Sequence, residues 1–199
     1  MILFIGGPTH AGKTMLAQRL MERLRAPYLS VDHLKMGLFR GWPGCGVHPE
    51  GPHEDISARL WPVVKGMVMT AIENGQNLIV EGCYHSPAQI GEFEAGYAEH
   101  IVAFWMAFSR RYIETDYGRI TAYESVIEQR EGDYPDPGEL IEESEALRAQ
   151  CLAQGAKVFD IDGDYEQAML GIIAWVDARV NKICKKYAKN TCFFSTDGL

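Results

Sequence analysis

Short apolar runs alternate with longer segments of helical periodicity along this 199-residue chain. Five runs rich in branched and aromatic residues are typical of strands that are covered on both faces, as in a parallel sheet. These predicted strands lie at 2–6, 27–31, 77–81, 100–108 and 157–161. The chain is therefore expected to form a buried sheet from strands that are well separated in sequence.

The segments between the apolar runs have the spacing of amphipathic helices. In the first, at 13–25, Leu16, Leu20 and Leu24 recur every fourth residue and therefore share one helix face. Asn74-Gly75 is typical of a helix end, and Ser86-Pro87 of a helix start. Further helices are predicted at 33–39, 56–74, 86–97, 139–154 and 165–187. A helix after every strand predicts an α/β fold, a doubly wound five-stranded parallel sheet between two layers of helices.

Two segments fit neither pattern. Residues 40–53 are rich in Gly, Pro and His and are predicted to form a loop. Residues 109–137 are polar, charged and rich in tyrosine, and they are too long for an ordinary connection. We therefore expect one domain over residues 1–199 with two insertions, at about 33–76 and about 109–137.

The run from Gly7 to Thr14 matches the phosphate-binding pattern G-x-x-x-x-G-K-S/T, and it lies between a predicted strand and a predicted helix, as that pattern requires. Its glycines allow backbone amides to point at phosphates, and the helix start adds the positive end of its dipole. Lys13 is expected to reach the β- and γ-phosphates, and the Thr14 hydroxyl to bind Mg²⁺. The predicted cofactors are ATP and Mg²⁺. The residues expected to bind the nucleotide are Gly7, Thr9, His10, Ala11, Gly12, Lys13, Thr14 and Met15.

Ligands of doubly wound sheets bind beyond the carboxyl ends of the strands, so the residues that follow each strand are candidates for the site. Asp32 follows the second predicted strand, where a carboxylate can accept a hydroxyl proton or hold the waters of a metal ion. Its alternative role is the N-cap of the helix at 33–39. The other residues at strand ends are Glu81, Ser109 and Asp162.

With these features the chain resembles the small P-loop kinases of the nucleoside-monophosphate-kinase type. The likeness rests on the loop from Gly6 to Thr14, and on Asp32, where zeta-toxin-like and chloramphenicol-phosphotransferase-like kinases have an acidic residue. It also rests on Glu81-Gly82, where adenylate kinases have Asp-Gly. The resemblance implies a P-loop NTPase of three-layer architecture, with catalytic roles for Lys13 and Asp32. It further implies that the first insertion binds the acceptor and that the second is a lid.

Glu81 follows three apolar residues on a strand predicted to be buried, and a buried carboxylate is costly unless it is paired or bound to a metal. The resemblance implies Mg²⁺ as the counter-charge, with Thr14 and Asp32 as the other residues at the metal. Glutamate in place of aspartate positions its oxygens differently, so a structural hydrogen-bonding role is the alternative.

The predicted lid contains Arg110, Arg111, Arg119 and Arg130. Arginines that close over a transferring phosphoryl group neutralise its charge. Arg119 and Arg130 are about three helical turns apart and can share a helix face. These two are proposed as catalytic, although the sequence does not choose among the four arginines. The spacing of Arg111 and Arg119 allows the same arrangement.

Two roles are considered for Asp162-Gly163-Asp164, which follows the fifth predicted strand. The resemblance implies that this turn wraps the adenine with backbone groups. The alternative is a turn that ends in the N-cap of the next helix.

The net charge and the composition argue against several classes of binding partner, location and structural site. A net charge of −8 and a pI near 5.2 leave no broad positive surface of the kind that non-specific nucleic-acid binding requires. No apolar run is long enough to cross a bilayer and no signal peptide precedes the first strand, so we expect a cytoplasmic protein. Five cysteines without C-x-x-C spacing predict neither a disulfide framework nor a zinc site, and Cys45, His48 and His53 lack a convincing fourth ligand.

The acceptor-side insert is poor in arginine, with only Arg40 and Arg59 between residues 32 and 76. This argues against a nucleotide acceptor and favours another small hydroxyl compound. The aromatic and histidine side chains of the loop 40–53 are candidates for lining the acceptor pocket, and a loop without function is the alternative.

Two functions fit these features. The first is an ATP- and Mg²⁺-dependent kinase that transfers the γ-phosphoryl group to a hydroxyl of a small-molecule acceptor. The second is a nucleotide-dependent regulatory ATPase or switch that has water as its only acceptor. The insert at 33–76 favours the kinase, because a plain switch does not need it. No sequence feature specifies an oligomeric state.

Overall fold

Five parallel strands form one sheet in the order β2-β3-β1-β4-β5. The computed structural model describes residues 1–122 and 136–187. The strands are β1 (Ile2–Gly6), β2 (Tyr28–Ser30), β3 (Leu78–Glu81), β4 (Ile101–Phe108) and β5 (Val158–Ile161). The predicted five-stranded parallel sheet is confirmed, with strand ends that differ from the prediction by about one residue.

Helices connect the strands and cover both faces of the sheet. Within the described residues they are α1 (Lys13–Leu24), α2 (Val31–Gly41), α3 (His53–Glu73), α4 (Pro87–Ile90), α5 (Ala95–Ala98), α6 (Arg110–Ala122), α7 (Pro137–Ala153) and α8 (Tyr165–Tyr187). None of them is both long and apolar enough to span a membrane.

The central position of β1 brings the predicted phosphate loop next to the ends of its neighbours. Ile5 is aligned with Glu81 of β3 on one side and with Phe104 of β4 on the other. Ser30, at the end of β2, is aligned with Glu81 in turn. The polar residues at the strand ends are thus collected along one edge of the sheet.

Alternate residues of β1 enter two separate apolar cores, as the side-chain period of a strand requires. Leu3 and Ile5 belong to the core that includes residues of α1 and α8, whereas Ile2 and Phe4 belong to the core that includes residues of α3. All four side chains are fully buried. The three-layer architecture is therefore confirmed.

The helix predicted at 86–97 is instead two short helices, α4 and α5. Between them, Phe93 is buried in the core beneath α3, with its ring centroid 5.6 Å from that of Trp61. This tertiary contact overrides the local helical pattern. The predicted start is confirmed, because the Ser86 hydroxyl accepts a hydrogen bond from the Gln89 amide and Pro87 is the first helical residue.

Asp32 is not a helix N-cap. Helix α2 begins at Val31, so Ser30 holds the N-cap position and Asp32 lies in the first turn. The capping role considered for Asp32 is therefore wrong. A carboxylate in a first turn still interacts favourably with the helix dipole.

The first part of the predicted lid is helical. Helix α6 bends at Asp116, where the backbone φ of −124° leaves the helical region. The rest of the predicted lid, with Arg130, lies outside the described residues.

Gly6→Ala is expected to destabilise the fold, because the new Cβ would lie 2.2 Å from the Trp105 indole. Overpacking of this kind costs about 1–3 kcal/mol, which urea unfolding would measure as a loss of free energy of unfolding. Gly66→Ala is the control, because its Cβ would have no atom within 4 Å and it lies inside α3. That substitution should stabilise by about 0.5–1 kcal/mol. Equal effects of the two would contradict the close packing of β1 on β4.

Candidate functional site

The segment between β1 and α1 has the backbone of a phosphate-binding loop. Gly12 has a φ of 77°, which favours glycine, and a Cβ there would lie 1.8 Å from the Tyr165 hydroxyl oxygen. A Cβ on Gly7 would lie 2.6 Å from the Met106 carbonyl oxygen. The loop is therefore enclosed by β4 and by the start of α8, and side chains at either glycine would disrupt it.

Lys13 is the first residue of α1, and its positive charge lies inside this loop. The residue is 8% exposed, and its ammonium group donates a hydrogen bond to the Pro8 carbonyl oxygen at 2.7 Å. Thr14 follows it and is half-buried. A buried ammonium beside a helix N-terminus favours a polyanion such as a triphosphate.

Glu81 ends β3 directly beside β1 and is 2% exposed. Its carboxylate and the Thr14 hydroxyl are oxygen donors, the class of ligand that Mg²⁺ prefers. No group of three or more His, Cys, Asp and Glu side chains in the described part of the chain could hold a metal ion alone. Mg²⁺ is commonly bound by one or two protein oxygens together with phosphates and waters, so this donor set fits Mg²⁺.

Asp32 is linked to the loop after β3 through Lys35. The Lys35 ammonium lies 2.9 Å from the Asp32 carboxylate and donates a hydrogen bond to the Tyr84 hydroxyl at 2.9 Å. Burial lowers the pKa of Lys35, but the hydrogen bonds to Tyr84 and Asp32 outweigh it, so the net pKa is raised. The cation holds the Asp32 carboxylate in a defined place.

The loop after β3 is fastened to the start of α3. The His53 ring stacks on Tyr84 at 4.8 Å between centroids, and its Nε2 lies 3.1 Å from the Cys83 carbonyl oxygen. The Ser57 hydroxyl donates a hydrogen bond to the Tyr84 carbonyl at 2.9 Å and accepts one from the Gln89 side chain. His53 thus links the start of α3 to the loop after β3.

His85 is a site residue that the sequence patterns did not indicate. It is 4% exposed, and its ring packs on Phe4 at 5.2 Å between centroids. Burial is the main cause that lowers the pKa of His85 to about 3. The positive charge of Lys13 also lowers it, whereas the Ile5 carbonyl has the opposite, smaller effect. Neither ring nitrogen makes a hydrogen bond of normal geometry with a described residue. His85 is therefore a neutral imidazole with free hydrogen-bonding capacity.

A cavity of about 710 Å³ opens at the phosphate loop. Gly7 to Thr9 form one end, the start of α3 and the loop around His85 form one wall, and α7 forms the other. Asp32 and Glu81 are not among the residues that line it. The cavity adjoins the first residues of the phosphate loop.

The three described arginines of the predicted lid pair with carboxylates of the protein. Arg110 lies 2.7 Å from Glu145, and Arg111 lies 3.0 Å from Asp162. Arg119, with a side chain that is 69% exposed, lies 3.4 Å from Asp116. The catalytic roles of Arg119 and of Arg130 stay predictions.

The turn after β5 packs against the phosphate loop. The Asp164 carboxylate accepts a hydrogen bond from the Gln167 amide at 2.9 Å, which is the interaction of a helix N-cap. Burial is the largest cause that raises the pKa of the neighbouring Tyr165 to about 12. Its hydroxyl lies against Gly12, so the turn is fixed beside the start of α1.

Solved structures with this architecture include a shikimate kinase from Bacteroides thetaiotaomicron, with a TM-score of 0.54 at 14% identity over 89% of this chain and 98% of that chain. A tunicamycin resistance protein from Deinococcus radiodurans has a TM-score of 0.54 at 20% identity, over 88% and 94% of the two chains. A gluconokinase from Sinorhizobium meliloti has a TM-score of 0.50 at 11% identity, over 95% and 97%. The fold is that of the small P-loop kinases.

This likeness confirms the predicted resemblance at the level of the fold. No protein-family model matches the sequence, and no curated protein sequence matches it significantly. At such identities the similarity concerns the fold alone, so the chemistry has to be argued from the residues of the site.

His85 is expected to make stability depend on pH in a defined direction. Its pKa is about 3 in the folded chain, against an ordinary value of 6.5. Between these two pH values the unfolded chain binds one proton more than the folded chain. The free energy of unfolding therefore falls by up to about 1.4 kcal/mol for each pH unit as the pH decreases from 6.5. His85→Leu should lose this slope in urea unfolding between about pH 4 and pH 7.

His33→Leu is the control for this experiment, because His33 is exposed on α2. It should keep the slope of the unsubstituted protein. A His85→Leu protein with the same slope as its parent would contradict the buried, neutral state of His85.

Proposed function

We propose that this protein is an ATP- and Mg²⁺-dependent kinase that transfers the γ-phosphoryl group to a hydroxyl of a small-molecule acceptor. One observation carries the proposal: the phosphate loop with its buried Lys13 forms one end of a cavity of about 710 Å³. A volume of this size is within the range of small-molecule sites. A regulatory ATPase has no need of such a cavity, so the kinase is the better proposal.

The phosphate loop would hold the triphosphate. Its backbone amides, the dipole of α1 and the Lys13 ammonium all favour negative charge at this place. Thr14 and Glu81 would hold Mg²⁺, which when bound neutralises charge on the phosphates. The protein thus contributes position and electrostatic stabilisation, which are the main requirements of phosphoryl transfer.

Asp32 is the proposed general base. The acceptor oxygen forms a bond to the γ-phosphorus while the bond from that phosphorus to the β-bridging oxygen breaks, so ADP leaves. The proton of the acceptor hydroxyl would pass to the Asp32 carboxylate, which does not itself line the cavity but lies 2.9 Å from Lys35, the hydrogen-bond partner of the lining residue Tyr84. Arg119 and Arg130 are proposed to add positive charge at the transferring phosphoryl group.

Location and partners form part of the same proposal. We place the protein in the cytoplasm, where ATP is available and where thiols stay reduced. Cys45, Cys83 and Cys151 are all free thiols, which agrees with a reducing compartment. The proposed partner is the small-molecule acceptor.

Lys13→Ala is expected to abolish phosphoryl transfer and to leave the fold intact. Removal of the charge in the loop should lower kcat by about 10²-fold or more. ADP release in the presence of Mg²⁺ and acceptor would measure the loss, and thermal unfolding would report on the fold. Lys182→Ala, at an exposed position on α8, should have normal activity. Normal transfer by the Lys13→Ala protein would disprove the assignment.

Asp32→Asn is expected to lower turnover much more than ATP affinity, because asparagine cannot accept the proton. General-base catalysis is worth about 10²–10⁴-fold, so kcat should fall by this factor. ATP affinity, measured by calorimetric titration, should change little. Asp55→Asn, at an exposed position in the first turn of α3, is the matched control. Equal losses of turnover and ATP affinity would indicate a structural role for Asp32 instead.

A further inference from the structure

We propose that the acceptor is a hydroxyl compound without carboxylate or phosphate groups, either uncharged or amine-bearing, and that Glu54 and Glu143 bind its amino or hydroxyl groups. This inference rests on the proposed kinase function and specifies the class of its acceptor. It depends on the charge of the cavity that opens at the phosphate loop.

The cavity presents negative charge at its walls. Glu54, in the first turn of α3, and Glu143, on α7, both line it. No arginine or lysine is among its lining residues in the described part of the chain. Both carboxylates are exposed, and neither makes an ion pair with a residue in 1–122 or 136–187. An anionic acceptor would meet two like charges and, among the described residues that line the cavity, no counter-charge, which is unfavourable at short range.

Three cations, on α2, α6 and α7, are already paired with carboxylates. Lys35 is paired with Asp32, Arg110 with Glu145, and Arg148 with Asp160. Lys13 lies inside the phosphate loop. Recruiting any of the paired side chains to an anionic acceptor would leave a protein carboxylate without its partner, which costs stability.

His85 gives a second and independent indication. The ring is 4% exposed and lines the cavity, and its two nitrogens make no hydrogen bond of normal geometry with a described residue. A neutral imidazole offers one donor and one acceptor, which matches a hydroxyl group. It offers no positive charge to a carboxylate or phosphate.

Other residues that line the cavity also have uncharged side chains. Thr9, Ser57 and Gln150 provide uncharged polar groups, whereas Trp105 and Leu147 provide apolar surface. Such a lining suits a ring that has hydroxyl or amino groups on its edge and an apolar face. The volume of about 710 Å³ leaves room for more than one ring.

The test compares acceptors that share a hydroxyl skeleton and differ in charge. The probes are glucose, glucosamine, gluconate and glucose 6-phosphate, with kanamycin as a larger amine and shikimate as a second carboxylate. ADP release with ATP and Mg²⁺ measures transfer, and calorimetric titration measures binding at low and high salt. We expect binding among the uncharged and amine-bearing probes, and the affinity of the amines should fall as salt rises.

Variants of the two carboxylates locate the effect. Glu54→Gln and Glu143→Gln should each weaken amine binding by about tenfold, because a charge-assisted hydrogen bond becomes a neutral one. Glu142→Gln is the matched control, since Glu142 is exposed on the same helix and does not line the cavity. Equal effects of Glu142→Gln and Glu143→Gln would overturn the assignment of Glu143.

The outcomes separate this inference from the proposed function. If gluconate, shikimate or glucose 6-phosphate is the preferred acceptor, the protein is a kinase and the inference is wrong. If amines bind with the expected dependence on Glu143 but ATP is never consumed, the charge preference stands and the kinase proposal fails. If no uncharged or amine-bearing probe binds while ATP does, the inference is also overturned.

Discussion

The buried positive charge of Lys13 at the end of the central strand is the interaction on which the rest of the site depends. The ammonium is satisfied within the protein by one carbonyl, that of Pro8, and it lies at the positive end of the α1 dipole. A buried positive charge is costly without a nearby negative charge, and the fold places Glu81 on the adjacent strand end. After burial, the same charge is the second cause that keeps His85 neutral, so this lysine influences the neighbouring cavity as well as the loop.

The parts of the fold that depend on local pattern could be predicted from the sequence. Apolar runs give the five strands, because strands that are buried on both faces contain few polar residues. The phosphate loop follows from Gly7, Gly12 and Lys13, because their spacing reflects the conformation that the backbone must adopt. Ser86 is recognisable in the sequence as a helix start, because its capping partner Gln89 is only three residues away.

Other features depend on contacts between distant segments and could not be predicted in this way. Phe93 interrupts a helical pattern because it is buried against α3. His85 has no local signal apart from its place in the loop after β3. Glu54 and Glu143 come from helices that are far apart in sequence, and only the fold brings them to one cavity. The pairing of Arg111 with Asp162 is likewise a tertiary contact that no sequence spacing indicates.

The phosphate loop and the cavity beside it differ in charge. The loop has a buried cation and a helix N-terminus, whereas the cavity between α3 and α7 has two unpaired carboxylates within the described residues. A polyanion is favoured at the loop and disfavoured in the cavity. Under the proposed function, this difference would disfavour a nucleotide in the cavity between α3 and α7, because a triphosphate there would meet two like charges. Repulsion by Glu54 and Glu143 would thus contribute to specificity as much as any attraction to the acceptor itself.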